Sequence, residues 1–437
     1  MSTADGPTAP NDFDSRLLAG GGQLHIRQTT RFKSVWVDLF LPQLLQPVAV
    51  TQLALLSRLL ERGTRRLPDL RALNQYTDWL YGAAFSVQSV AFGPFQLLHL
   101  HYDAVDGAFV PRDGDDLLER GLGLLGEVLA EPFLEDGQLP QARIEQEKAS
   151  LRRFVESLLN DRSLLAQRRC MECIGADTPW ALAPHGSPAE LSHLDGASLL
   201  SFLRNFVIDA PMDIYVCGDV DTEQVADLCV SLLPAAHDDR RACAEIPQLL
   251  PLAGPQQILE SADVSQGRLV LGFRTPIRLG ATVAEYAALM LMNLLFGGDA
   301  YSRLYNHIRE QLGLCYHIAS YLEPMAGLLL VEAGVEPEHR SAVVEQVLQE
   351  LRELGTHGPS RAEVERAQAL ARQRLDGAED DRESLVHFHH ARRLAGTNGS
   401  RLQLHAALAA VPAEAVQSIA ATTVLDTEYF LGPQESA

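Results

Sequence analysis

The chain has 437 residues, a formal net charge of −21 and an apolar fraction of 46%. This length suits two to four domains. The acidic balance argues against nucleic acid or an anionic membrane as the main partner, because both require neutralising cations. The apolar runs are too short to cross a bilayer, and the acidic start lacks the basic and apolar regions of a secretory signal. We therefore expect a cytoplasmic chain that binds neither nucleic acid nor a membrane.

Strands and helices follow one another along the first half of the sequence. Apolar alternation predicts strands at 23–28, 34–41, 83–90, 95–102 and 212–218. Apolar residues at helical spacing predict helices at 48–62, 69–79, 115–130, 140–160, 195–206 and 222–233. A Gly-Pro turn joins the strands at 83–90 and 95–102, so we expect these two to form a hairpin.

The second half repeats this order. It has predicted strands at 256–261, 267–275, 314–322 and 327–335, and a last strand around TEYFLGP. The predicted helices lie at 283–296, 300–312, 338–354, 361–375, 381–394 and 411–421. Corresponding strands lie roughly 230 positions apart, which indicates an internal duplication. We predict an α+β fold of two similar halves, 1–234 and 256–437, each a mainly antiparallel sheet with helices packed on it, joined by a charged and Pro-rich linker at 235–255.

Two short motifs match chemical patterns by letter only. Gly121, Gly123 and Gly126 spell GxGxxG, but they lie inside a helical pattern with no strand before them, so we expect close packing rather than a nucleotide site. Cys170 and Cys173 form a lone CxxC within a helical pattern, which favours two helix cysteines. The six cysteines, Cys170, Cys173, Cys217, Cys229, Cys243 and Cys315, are too dispersed for a disulfide framework.

Histidines invite a search for a metal site. Neither HExxH nor HxxEH occurs in the sequence. His387, His389 and His390 form a cluster, but no carboxylate or cysteine stands at a convincing spacing beside them. His99 and His101 share one face of a predicted strand. We expect surface or partly buried histidines in both places and predict no metal ligands.

The most specific pattern is FGGDAYSRLYNHIREQLGLCYHIAS, at residues 296–320. A Gly-Gly loop leads into a helix, the helix closes, and a strand begins. This order resembles the C-terminal half of the insulinase, or pitrilysin-type, zinc peptidases, and the duplicated halves agree with that family over nearly the whole chain. The resemblance implies that this chain forms half of a peptidase clamshell. It is carried by Gly297, Gly298, Ser302, Arg303, Leu304, Arg309, Glu310, Gly313, Leu314 and Tyr316.

In that family, an HxxEH helix in the N-terminal half holds zinc, its glutamate is the general base, and a glutamate on a later helix is the third ligand. The resemblance places the motif on ALLSRLLERGT, residues 54–64, because a Gly-Thr pair follows it in the family. Arginine stays protonated and has no lone pair for zinc, so we expect no metal in this chain. The degenerate positions are Ala54, Ser57 and Arg58 in one register, Arg58, Glu61 and Arg62 in the other, and Arg152 or Arg153 for the third ligand, after Glu147-Lys148.

Two further family residues have counterparts in the second half. The family's C-terminal half sends an arginine and a tyrosine to the substrate, and Arg309 and Tyr316 match them at the same spacing. A cation and a phenol can stabilise the negative charge that develops when water attacks a peptide carbonyl. The resemblance implies a heterodimer in which a homologous subunit bearing HxxEH holds zinc. The present chain would close the peptide chamber and supply Arg309 and Tyr316.

Substrate pairing and two alternatives remain open at this point. Strand 83–90 is a candidate edge for an extended peptide, although Ala83-Ala84 stands where the family usually has Asn-Ala. One alternative is a scaffold protein of the same family with no catalytic role. Another is a self-sufficient hydrolase with unrelated ligands, such as the histidines at 387–390.

Overall fold

The structure is a computed structural model that describes residues 13–19, 21–111, 117–234, 244–264, 266–397 and 399–433. It divides into two compact units. The first unit lies within Met1–Glu156 and Leu182–Glu245, and the second within Ser157–Ala181 and Ile246–Ala437. Residues 235–243 of the predicted linker, which include Cys243, lie outside the described residues.

The first unit is built on a sheet of six described strands. The strand order across the sheet is β1-β2-β6-β3-β5-β4. Only the β2–β6 pair is parallel among the described strand pairs of this sheet. The predicted hairpin forms, and β4 lies at the edge of the sheet. The strands are β1 Asp14–Leu17, β2 Gln23–Gln28, β3 Ser34–Leu44, β4 Ala84–Phe92, β5 Phe95–Val105 and β6 Asp213–Gly218.

The second unit repeats this arrangement. Its described strands follow the order β7-β11-β8-β10-β9, with β7 and β11 parallel and the other neighbours antiparallel. The strands β2-β6-β3-β5-β4 of the first sheet correspond in order to β7-β11-β8-β10-β9 of the second, and β1 is an additional strand beside β2. The predicted α+β fold of two similar halves is confirmed. The strands are β7 Gln256–Ala262, β8 Gly267–Arg274, β9 His317–Glu323, β10 Leu328–Val335 and β11 Val424–Pro433.

Thirteen α-helices lie within the described residues. They are α1 Ala49–Leu60, α2 Leu70–Trp79, α3 Leu117–Ala130, α4 Gln141–Leu158, α5 Arg162–Ile174, α6 Gly196–Asp209, α7 Thr222–Leu232, α8 Val283–Phe296, α9 Arg340–His357, α10 Arg361–Gly377, α11 Arg382–Leu394, α12 Arg401–Ala410 and α13 Ala413–Thr422. Each unit has an apolar core between one face of its sheet and the helices packed on that face. In the second unit, α5 covers the other face of the sheet. In the described part of the chain, no single helix is long and apolar enough to cross a membrane, and α12 with α13 reaches that length only as a pair bent by 95°.

The helix α5 belongs to the second unit, although it precedes residue 234 in the sequence. It buries Ala166, Cys170 and Ile174, which recur every four residues on one face. Ile174 fills the space over Gly272 of β8, where a Cβ would come within 2.3 Å of the isoleucine Cδ1. Just after α5, Trp180 donates from Nε1 to the carbonyl of Pro247 at 2.9 Å. The predicted half 1–234 therefore differs from the first unit at residues 157–181, because an apolar helix face does not specify which sheet it covers.

Candidate functional site

Arg309 and Tyr316 lie side by side in the second unit. The Arg309 Nε atom donates a hydrogen bond to the Tyr316 carbonyl oxygen at 2.9 Å. The Tyr316 residue is 63% exposed, and the Arg309 side chain is 33% exposed. The structure therefore brings the two predicted residues together at a surface that solvent reaches.

An unusual helix positions Arg309. The predicted α-helix at 300–312 is wrong in type for Tyr305–Gln311, which form a π-helix. Single π-helical turns recur at functional sites. The chain then reverses at Gly313, whose φ of 64° is a left-handed conformation that favours glycine. The Tyr316 amide donates to the Gly334 carbonyl at 3.0 Å, which ties the returning chain to β10.

Neighbouring side chains already engage the polar groups of this pair. The Arg309 guanidinium donates to Glu310 at 2.9 Å and to the Tyr305 hydroxyl, and it lies over the Tyr305 ring. The Tyr316 hydroxyl donates to Glu336 Oε1 at 3.1 Å, and this carboxylate raises the pKa of the phenol. A peptide carbonyl that approached Tyr316 would therefore compete with Glu336 for the phenolic proton.

Other residues of the same motif have structural contacts. Ser302 and Leu304 are buried. Arg303 forms two hydrogen bonds to Glu363, at 2.9 and 3.2 Å, which join this segment to α10. Partial burial would raise the pKa of Glu363, but hydrogen bonds from Arg303 and Ser360 outweigh it and lower the pKa to about 2. These contacts hold the π-helix against the body of the unit.

The α1 helix carries the first set of degenerate metal positions. Ala54 and Ser57 are buried, and the Ser57 hydroxyl donates to the Ala54 carbonyl at 3.1 Å. Arg58 reaches α4, where it donates to the Ser150 hydroxyl at 3.3 Å and lies over the Phe154 ring. These three residues therefore make contacts that fix α1 and present no metal ligand.

An ion pair occupies the end of α1. Arg62 binds Glu147 of α4 through Nε at 2.8 Å and through Nη2 at 2.5 Å, and Glu147 is only 2% exposed. Glu61 accepts a long hydrogen bond from the Val87 amide at 3.5 Å, and burial raises the pKa of its carboxyl. Arg152 is exposed on α4, as is the adjacent arginine at 153.

The residues at these positions do not fit a zinc ion. Ala54 has no donor atom, Ser57 is buried against its own helix, and the two arginines cannot coordinate a cation. Two carboxylates remain at this contact: Glu147 is neutralised by Arg62, and Glu61 accepts a hydrogen bond from the Val87 amide. The Arg62 side chain thus supplies a fixed positive charge between α1 and α4, where the family holds its zinc ion.

The glycine motif has a packing role at two of its three positions. A Cβ on Gly121 would come within 2.1 Å of the Tyr102 ring, and one on Gly126 within 2.0 Å of the Leu232 carbonyl oxygen. Gly123 has open space at the same point. The expectation of close packing within a helix therefore matches the structure at Gly121 and Gly126.

The cysteine pair lies in α5, as the helical pattern predicts. Cys170 is buried and Cys173 is partly buried. Burial raises the pKa of both thiols, which opposes formation of the reactive thiolate.

The histidines divide into two cases. His387, His389 and His390 lie on α11, and no group of three metal-binding side chains forms around them within the described residues. His99 and His101 do meet a third group, the carboxylate of Asp38 on β3. Sequence analysis did not single out Asp38. The available signal was an aspartate in the middle of an otherwise apolar strand, SVWVDLFL.

Comparison with known proteins gives three consistent likenesses. A family model described as the peptidase M16 inactive domain matches residues 193–370. The chain is 27% identical to a probable inactive metalloprotease, YmfF, of Bacillus subtilis over 428 residues, which is 96% of this chain and 97% of that protein. Its structure resembles that of a conserved protein from Enterococcus faecalis V583, with a TM-score of 0.90 and 23% identity over 98% of this chain and 100% of the other.

A second solved structure agrees with the same fold. The peptidase M16 inactive domain from Pseudomonas fluorescens superposes with a TM-score of 0.77 and 19% identity, over 97% of this chain and 99% of that chain. At such identities the two structures show the fold alone, and the likeness extends over nearly the full length of each chain.

Proposed function

Because the chain belongs to the M16, or insulinase/pitrilysin-type, peptidase family, we propose that it is the subunit without a catalytic zinc ion in a heterodimeric metallopeptidase. Its partner would be a homologous chain that carries HxxEH and holds the zinc ion. The present chain would close the peptide chamber and contribute Arg309 and Tyr316 to the partner's site. Its relative in Bacillus subtilis, by its name, is a probable inactive metalloprotease, which supports the loss of the catalytic zinc site on α1.

One observation carries this proposal. Arg309 and Tyr316 are adjacent and reachable from solvent, whereas the metal positions are filled by side chains that cannot bind zinc. A purely structural role of the chain would not require Arg309 and Tyr316 to lie side by side at a surface that solvent reaches. In an assembled peptidase, a water activated by the partner's zinc ion would attack the peptide carbonyl. The Arg309 cation and the Tyr316 phenol would stabilise the oxyanion that forms.

The test is a conservative substitution in the assembled complex. Tyr316→Phe removes one donor and keeps the ring, so peptide turnover should fall by about 10²–10³-fold, which is typical of losing one oxyanion donor. Tyr301→Phe is the matched control, because Tyr301 is 68% exposed in the same segment and should leave turnover unchanged. Gel filtration should show equal assembly for both variants. Unchanged turnover of the Tyr316→Phe complex would contradict the catalytic part of the proposal.

A scaffold role is the second candidate, and one observation favours it. Glu336 already accepts the Tyr316 proton, and Arg309 is engaged by Tyr305 and Glu310 within its own unit. If Arg309 and Tyr316 serve only to form these structural hydrogen bonds, Glu336→Gln should lower the stability of the second unit without altering turnover. If Glu336 holds the phenol in a resting state, the same substitution should raise turnover, because the substrate then competes with a neutral acceptor.

A further inference from the structure

A cluster of three metal-binding side chains lies in the first unit, away from the degenerate α1 site. The Asp38 Oδ1 atom is 2.7 Å from His99 Nε2 and 2.8 Å from His101 Nδ1. All three potential ligand atoms lie within 4.8 Å of one another. Asp38 is 1% exposed, and the two histidine side chains are each 14% exposed. Two imidazoles thus converge on one buried carboxylate oxygen.

Strand pairing creates this arrangement. Asp38 on β3 is directly opposite His101 on β5, and His99 lies two residues before His101 on β5, on the same face. Neighbouring β3 residues Val37 and Leu39 point to the opposite face, into the apolar core. Sites built on paired strands are held more precisely than sites built on loops.

The surrounding side chains orient the cluster. Trp36 Nε1 donates to the second oxygen, Asp38 Oδ2, at 2.5 Å, which leaves Oδ1 for the histidines. The Trp36 ring lies 4.1 Å from the His101 ring, and the Phe40 ring lies 4.6 Å from the His99 ring. Such outer contacts fix the ring orientation and oxygen choice of metal ligands in known sites.

We propose that Asp38, His99 and His101 bind one divalent first-row transition metal ion, with zinc as the first candidate. Two imidazole nitrogens and one carboxylate oxygen form a common donor set for zinc. Ligand atoms around tetrahedral zinc lie roughly 3.3 Å apart at its usual bond lengths, so the histidines would move outward by about 0.6 Å. The ion would take the place of the two hydrogen bonds that now join the imidazole nitrogens to Asp38 Oδ1.

The ion would join β3 to β5 and leave the fourth ligand position to water. Three protein ligands with water in the fourth position is also the pattern of catalytic zinc, but the low exposure of all three ligands keeps a peptide from the ion, which favours a structural or sensory role. The site uses residues of the first unit only. The proposed metal site can therefore be tested independently of the role proposed for Arg309 and Tyr316.

The experiment uses the full chain, stripped with a chelator and titrated with Zn²⁺ by calorimetry and with Co²⁺ by visible absorption. Wild type should bind one equivalent, and bound Co²⁺ should give the d–d bands of a site with nitrogen and oxygen ligands. His99→Gln and His101→Gln should each weaken binding by at least about 100-fold, because even an outer-shell substitution costs about 10–100-fold. Trp36→Phe should weaken metal binding by about 10–100-fold, as expected for an outer-shell substitution.

His405→Gln is the matched control, since His405 contacts one carboxylate among the described residues, Asp376 at 3.5 Å. This variant should bind both ions as wild type does. If Asp38→Asn fails to fold, the two histidine variants decide the outcome, because their side chains are partly exposed. Less than about a tenth of an equivalent bound to wild type would overturn the proposal. So would equal affinity of wild type and both His99→Gln and His101→Gln, measured on chains with native circular dichroism.

Discussion

Arg62 neutralises a buried carboxylate, and its replacement by methionine is expected to destabilise the first unit. Glu147 is 2% exposed and receives two contacts from Arg62, at 2.8 and 2.5 Å. Breaking a buried pair by removing one partner costs about 3–5 kcal/mol. The Arg62 side chain is 32% exposed, so water can partly replace it. We therefore expect Arg62→Met to lower the free energy of unfolding by about 2–3 kcal/mol, at or just below the lower limit of that range.

Calorimetry and hydrogen exchange of the full chain can measure this loss. A unit of this size loses about 2–4 °C in Tm per kcal/mol, so the first-unit transition should fall by roughly 5–10 °C. Amides of α1 and α4 should lose protection from exchange, whereas those of the second unit should not. The Arg58→Met variant is the control. Its hydrogen bond to Ser150 is long, at 3.3 Å, so it should cost less than about 1 kcal/mol.

A double variant separates charge from packing. Arg62→Met with Glu147→Leu replaces the pair by apolar groups and should return to within about 1 kcal/mol of wild type. Stability of Arg62→Met within about 0.5 kcal/mol of wild type would refute the reasoning, because an unpaired buried carboxylate cannot be neutral in energy. Failure of the double variant to recover would show that the arginine stem, not its charge, stabilises the contact.

Other contacts give predictions of the same kind. Gly126→Ala should lower the free energy of thermal unfolding by about 1–3 kcal/mol, because its Cβ would meet a backbone carbonyl oxygen at 2.0 Å. Gly123→Ala, which has open space around its Cβ, should raise that free energy by about 0.5–1 kcal/mol. Equal effects of the two variants would contradict the packing role of Gly126. Glu363→Gln should cost about 1–3 kcal/mol at pH 7, since the pKa of Glu363 is lowered from 4.5 to about 2 beside Arg303. The stabilisation is present above pH 4.5 and is lost as pH falls towards 2. In urea unfolding, the free energies of unfolding of wild type and Glu363→Gln should therefore converge towards pH 2. A difference between them that does not change with pH would argue against the ion pair. Mass spectrometry after iodoacetamide at pH 7.5 should find Cys170 unmodified in the native chain; rapid modification would contradict its burial.

The fold could be predicted from sequence because its signals are local and repeated. Alternation in strands and apolar spacing in helices located most elements of both halves, although β1 and α12 were not predicted, and the repeat of their order indicated the duplication. The loss of zinc ligands was also visible, since it depends only on which residues follow one another before Gly63-Thr64. That glycine is required structurally: a Cβ there would approach the Leu67 carbonyl oxygen to 2.6 Å.

Features that depend on pairing between distant segments could not be predicted. Asp38 meets His99 and His101 only through the register of β3 against β5, which the sequence does not state. The apolar face of α5 reads the same whichever sheet it covers, so its place in the second unit was missed. The π-helix was also missed, because its apolar spacing over seven residues is too short to distinguish it from an α-helix.

The most direct measurement is affinity capture of this chain from the organism that encodes it, followed by mass spectrometry and a peptidase assay of the captured complex. We expect a stoichiometric partner of about the same length that carries HxxEH, and peptide cleavage that falls by about 10²–10³-fold when Tyr316→Phe replaces the wild-type chain. Recovery of the chain alone, or of a complex with HxxEH whose turnover ignores Tyr316→Phe, would contradict the proposed role of Arg309 and Tyr316.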